Sequence, residues 1–177
     1  VKFARSGAEA MAIAVRISRA FTQKDKIAFS GYHGWCDWYL ATNLSGKDNL
    51  NDHLLPGLSP LGVPKGLQGT AIPFKYNDTD DFEQVVKNNP DIGTIVMEGA
   101  RYDFPSQNFL SVIQQTAKEK GIVIISDEIT SGWRITNGGV YKTNRFLPNI
   151  VVYGKGMGNG YAISAIVGEK DIMDMAQ

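Results

Sequence analysis

The five residues Ile122–Ser126 read Ile-Val-Ile-Ile-Ser, an apolar run with no alternation. A strand with one wet face alternates apolar and polar side chains. A strand without alternation is covered on both faces, as in a parallel sheet lying between helices. A helix leads into this run. Ser106 caps it, Phe109, Leu110, Ile113 and Ala117 mark one face, and Gly121 stops it. Further strands are expected at Ile27–Ser30, Gly93–Met97, Ile150–Tyr153 and Ala162–Val167, and further helices at 7–22 and 80–87. Strands alternating with helices predict an α/β fold, a mostly parallel sheet with helices on both faces. The strand at 162–167 follows its predecessor after a tight glycine turn and is a candidate for an antiparallel return.

In helix 7–22, Met11, Ala14, Val15, Ile17 and Phe21 cover most of the circumference, with Arg16 and Arg19 as polar exceptions, so a buried helix is expected. Residues 31–70 are rich in Gly, Asn, Ser and Pro and read as a long irregular stretch of the kind that carries function. The chain opens on a strand-like Val-Lys-Phe and closes on a helix-like Asp-Met-Ala-Gln, so it reads as a fragment of a longer protein.

With 43% hydrophobic residues, the 177-residue chain has enough apolar content for a packed core. Lys plus Arg (18) equals Asp plus Glu (18), which gives no footing for a nucleic-acid or membrane-surface role. No apolar run reaches the roughly 18 residues that span a bilayer. The one cysteine, Cys36, forms no internal disulfide, and such usage favours a cytoplasmic setting. His33, His53 and Cys36 make no metal cluster, so no metal site is expected.

In open parallel sheets ligands sit beyond the carboxyl ends of the strands. There the sequence places Tyr32-His33, Glu98, Asp127-Glu128 and a lysine among glycines, Gly154-Lys155-Gly156. The glycine run is no P-loop: Asn149 stands where the first Gly belongs, and Gly156 where Ser or Thr does. It is no dinucleotide fingerprint either, because Asn159 takes the third glycine's place. Gly-x-Ser-x-Gly is absent, which removes an α/β-hydrolase nucleophile. Ser6 and Glu9 have capping-box spacing, and two readings stand for that helix start: a plain cap, or a cap that also presents N–H groups to an anion.

These segments resemble one family. Phe3-Ala4-Arg5-Ser6-Gly7-Ala8-Glu9-Ala10, Tyr32-His33-Gly34, Met97-Glu98, Asp127-Glu128-Ile129 with Gly132-Trp133-Arg134, and Tyr153-Gly154-Lys155-Gly156-Met157-Gly158-Asn159-Gly160-Tyr161 occur in family order across almost the whole chain. The chain is similar to the class III, or omega-type, aminotransferases that depend on pyridoxal 5'-phosphate (PLP), a group that includes glutamate-1-semialdehyde aminomutase and sugar aminotransferases. The resemblance implies the large domain of a fold type I enzyme, present in part over 1–177, without an N-terminal segment and a C-terminal small domain.

It also implies roles. Lys155 would carry PLP as a Schiff base and shuttle a proton, and Asp127 would pair with the ring nitrogen. Ser6, Gly7 and Ala8 would hold the phosphate, and Tyr32 and Ile129 would cover the two ring faces. His33 would lie beside the stacking residue, and Glu98 near the ring and substrate. The partners implied are a small amino donor, a keto or aldehyde acceptor, and a second copy in a homodimer. Trp35, Trp38 and Tyr39 read either as an exposed aromatic patch for that dimer or as core. The family usually has Pro after the glutamate, where this chain has Gly99, implying a different course for that loop. The aromatic segment Trp35–Leu40 departs from the aminomutase pattern and favours a transaminase. An intramolecular aminomutase and a truncated, non-catalytic relic are the alternatives.

Overall fold

The computed structural model describes residues 1–53, 56–100 and 102–176. Seven strands form one sheet: β1 (Lys2–Ala4), β2 (Lys26–Ser30), β3 (Ala71–Pro73), β4 (Ile92–Glu98), β5 (Val123–Asp127), β6 (Ile150–Tyr153) and β7 (Ser164–Gly168). Their order across the sheet is β1-β7-β6-β5-β4-β2-β3. The run from β6 to β3 is parallel throughout, whereas β7 is antiparallel to β6 and β1 to β7. The strands expected at 27–30, 93–97, 122–126 and 150–153 therefore lie side by side in one sheet, and the strand after the glycine turn does return antiparallel. It begins at Ser164, two residues later than the apolar pattern suggests.

The sheet is covered on both faces, as the unbroken apolar strands require. On one face Val96, Val123, Ile125 and Val152 meet α1 (Gly7–Thr22) and α2 (Asp37–Leu40). On the other, Ile95, Met97 and Ile124 meet α3 (Thr79–Asn88) and α4 (Gln107–Lys120). Neighbours within β4 and β5 thus point to opposite cores. Burying a side chain such as Phe29 or Met11 completely, as here, stabilises by roughly 1.5–3 kcal/mol. A short α5 (Lys170–Met173) follows β7.

Capping sets where these helices begin. Ser6 Oγ accepts from Glu9 N–H, Asp78 from Asp81 N–H, and Ser106 from Phe109 N–H, contacts worth about 1 kcal/mol each. Gly121 closes α4 in the left-handed conformation.

One expectation is corrected and one open alternative is decided. Helix α1 is not buried all round: Arg16 is exposed and so is Phe21, while Ala10, Met11, Ala14, Val15, Ile17 and Ser18 are buried. It packs one broad side on the sheet, where Ser18 and Thr94 hydroxyls meet at 2.6 Å. Of the two readings of the aromatic segment, core packing holds for Trp38 and Tyr39. Trp38 and Tyr39 are core residues packed on Phe29, and only Trp35 of the three is exposed. The stretch read as irregular holds α2 and several single turns of 3₁₀ helix, and β3 follows it directly.

Candidate active site

The parallel register brings the carboxyl ends of β2, β4, β5 and β6 to one edge. Glu98 lies opposite Asp127, and Asp127 opposite Val152. Asp127 is only 4% exposed, and both of its oxygens are held. Oδ1 accepts from Ile129 N–H at 3.0 Å, and Oδ2 lies 2.8 Å from Nδ1 of His33. The other ring nitrogen of His33 faces the Ser30 carbonyl at 3.1 Å, and the ring stacks on Trp38. His33 thus meets Asp127 directly. Glu98 is likewise buried, and its Oε2 accepts from Tyr32 N–H at 3.3 Å. Gly31 is required there: at φ 110° it is left-handed, and a Cβ would come within 2.5 Å of that same oxygen. Tyr32 is half-buried, its ring edge-on to Tyr39.

The start of α1 closes this edge from one side. Gly7 lies against Ile129, whose Cδ1 would be 2.7 Å from any Cβ there. Ala8 lies against Gly34, and Cys36 Sγ donates to the Ala8 carbonyl. Ser164 Oγ donates to the Ser6 carbonyl at 2.8 Å. Ser6 is exposed, Gly7 and Ala8 half-buried. The N–H groups of Gly7 and Ala8 belong to the first turn of α1 and so find no acceptor within the helix. Both readings of the Ser6 segment are compatible with this geometry, since the hydroxyl that caps the helix still has a proton to donate.

Lys155 follows β6 in a tight turn. It is exposed, adopts φ 41°, and its Nζ donates to Thr130 Oγ1 at 2.9 Å. Thr130 was not among the candidates. Its only sequence signal is its place three residues after Asp127. Glu128, flagged at the strand end but given no role, is completely buried. It accepts from the Ser131 hydroxyl and from Tyr141 N–H. Burial, then the hydrogen bond to Tyr141 and the nearby Glu128 charge, push the Tyr153 phenol above the usual tyrosine range. Burial and the charges of Glu98, Asp103 and Glu128 do the same to Tyr76.

Beside Glu98 opens a cavity of about 600 Å³, bounded by Gly31, His53, Phe74, Tyr76 and Asp103 among others. Among the described residues, no three His, Cys, Asp or Glu side chains are grouped to hold a metal ion, and no helix is long and apolar enough to cross a membrane.

The family model described as aminotransferase class-III matches residues 1–177. The chain belongs to the class-III aminotransferases. A 3-aminobutyryl-CoA aminotransferase of Cloacimonas acidaminovorans (strain Evry) is 33% identical over 97% of the chain and 39% of its own length. A glutamate-1-semialdehyde 2,1-aminomutase of Nitrosopumilus maritimus (strain SCM1) is 34% identical over 99% of the chain and 42% of its own length. Among solved structures, a transaminase with PLP bound superposes with a TM-score of 0.82 at 27% identity, covering 97% of the chain and 40% of that protein. The chain therefore spans about two fifths of the length of these relatives.

Within this class-III chain the residue after Glu98 has a local reason to be glycine. A Cβ at Gly99 would lie 2.5 Å from Glu128 Oε1, so the buried carboxylate occupies the space a side chain would need. The Gly99 N–H instead donates to the Asp127 carbonyl.

Proposed function

We propose that these 177 residues form the PLP-binding part of the large domain of a transaminase, which moves an amino group from a small donor to a keto or aldehyde acceptor. One observation carries the reading. A buried carboxylate, Asp127, is held on both oxygens at the end of β5, and the adjacent strand β6 leads straight into Lys155.

The residues present fit the cofactor. PLP, when bound, supplies an aldehyde that condenses with amines and a pyridinium ring that accepts the electron pair freed at the substrate carbon. The start of α1, with a hydroxyl at Ser6 and N–H groups at Gly7 and Ala8, suits a phosphate: helix N-termini carry positive partial charge. The Gly7–Ile129 and Ala8–Gly34 contacts tie that start to the loops after β5 and β2. Asp127 offers a fixed negative charge to a ring nitrogen, and His33 keeps it in place. Ile129 and Tyr32 offer an apolar and an aromatic surface to the ring. Lys155 Nζ is the amine that would bond the cofactor, and it would take and return the substrate's carbon-bound proton. Glu98 stands between this cluster and the open cavity, where a substrate's polar end would meet it.

We further propose a homodimer and a cytoplasmic location. Exposed Trp35, Trp133 and Tyr161, together with the family resemblance, support the former, and the single cysteine the latter.

The deciding experiment uses the full-length protein with PLP. Borohydride reduction followed by peptide mapping should place a pyridoxyl group on Lys155. Lys155→Arg should lower turnover by about 10³-fold or more, because arginine neither forms the bond nor shuttles the proton. A label on another lysine, with Lys155→Arg fully active, would sink the reading. Turnover of an amino aldehyde without any external acceptor would instead favour the aminomutase alternative, which the Nitrosopumilus relative raises.

A further inference from the structure

Three consecutive residues of the lysine turn are each met by the segment 129–134. Gly154 packs on Ile129, with 3.3 Å from its Cβ position to Cγ2. Lys155 Nζ donates to Thr130 Oγ1. A Cβ at Gly156 would lie 3.3 Å from the Gly132 carbonyl oxygen and 3.2 Å from Cγ of Arg134. The same short segment, leaving β5 directly after Asp127, thus walls the turn on both sides and grips the amine between. Side chains at Gly154 or Gly156 would crowd these walls, so the turn is shaped to this segment.

A lysine side chain is long and mobile, and this one is exposed, so its amine is placed only if something holds each end. At the near end the backbone does so: φ 41° at Lys155 is a conformation L-residues rarely adopt, and it fixes the direction in which the side chain leaves. At the far end the holder is a hydroxyl. A hydroxyl can accept from an ammonium and can either accept from or donate to a free amine. It therefore stays a partner through gain and loss of the amine's proton. A carboxylate would favour the charged form, and a methyl group would hold nothing.

We propose that Thr130 is a positioning residue for Lys155, holding Nζ beside the end of β5 through both of its protonation states. This rests on the reading of Lys155 as the PLP lysine, and the test separates the two. The full-length protein is compared with Thr130→Val, which keeps the shape, and Thr130→Ser, which keeps the hydroxyl. In PLP-free protein, acylation of Lys155 by acetic anhydride is followed by mass spectrometry. In protein mixed with PLP, the rate at which borohydride fixes a pyridoxyl group on Lys155 is measured. Thr130→Val should acylate about fivefold faster, the factor of one net hydrogen bond, because the amine is released to any reagent. It should capture PLP about fivefold more slowly, because a released amine is no longer aimed. Thr130→Ser should match wild type in both. Lys26, paired with Asp91 at 2.9 Å, reports any folding defect, because unfolding would speed its acylation as well; in Thr130→Val it should keep the wild-type rate. Equal rates for wild type and Thr130→Val in both assays would overturn the proposal. If wild-type Lys155 takes up no PLP, the cofactor reading fails, and the acylation rates still judge Thr130.

Discussion

Asp127 and Lys155 close neighbouring strands, and the chain holds them by opposite means. Asp127 is buried, with an N–H on one oxygen and a histidine on the other, and the next residue, Glu128, anchors the following loop through Ser131 and Tyr141. Lys155 is exposed, sits in a left-handed backbone, and its amine rests on one threonine hydroxyl. On the proposed reading, the difference matches two kinds of work. A group that supplies a fixed charge gains from being locked, because a preorganised charge needs no reorganisation when the reaction occurs. A group that must form and release a bond has to be aimed without being locked.

The comparison breaks first at Glu128. Glu128→Ala leaves the buried Ser131 hydroxyl and the half-buried Tyr141 N–H without their acceptor and opens a cavity. It should cost about 3–5 kcal/mol of stability, measured by denaturant unfolding of the full-length protein. Lys155→Ala, on the exposed side of the comparison, loses one hydrogen bond to Thr130 and should cost about 1 kcal/mol or less in the same measurement on PLP-free protein. Similar losses for both would erase the distinction.

How far each corner was legible follows the same division. The strands and helices could be read because apolar runs, caps and stop residues are local, so Ser106 and Gly121 bracket α4 as expected. The strand ends supplied Asp127, Lys155 and Glu98 as candidates and capping-box spacing supplied the Ser6 segment, while the family motifs supplied their roles. The contacts that hold them were not legible. His33 reaches Asp127 across 94 positions, and Thr130 reaches Lys155 across 25, and both depend on which strands lie side by side. Periodicity does not encode that order. Trp38 and Tyr39 were ambiguous because their surroundings are Gly- and Asn-rich. Only a four-residue helix, too short to show a period, turns them into the core.

The middle-sized effect concerns charge. Asp127→Asn keeps the shape and removes the negative charge, so the rate of the amino-donor half-reaction should fall roughly 10²–10³-fold, the scale of losing one preorganised electrostatic group. Borohydride labelling of Lys155 should persist, because the lysine's own turn is untouched. A variant that loses the label as well would mean that the two corners are one unit.

The smallest effect has the opposite sign. Lys155→Gly loses the same contact as Lys155→Ala but relieves the left-handed backbone, so without PLP it should be about 0.5–1 kcal/mol more stable than Lys155→Ala in the same unfolding experiment. A Lys155→Gly protein no more stable than Lys155→Ala would show that the strain argument is wrong.

The bond from Ser164 to the Ser6 carbonyl spans 158 positions, and β1, just ahead of α1, pairs along its length with β7. A ribosome adding about 5–20 residues per second would emit α1 roughly 8–30 s before β7 appears. Throughout that interval the helix can form, yet its first turn has neither the strand that flanks it nor the hydroxyl that steadies it. Cofactor capture on a nascent chain should therefore lag the synthesis of the residues that would grip the phosphate, and stalled chains released before Ser164 should emerge without a usable site.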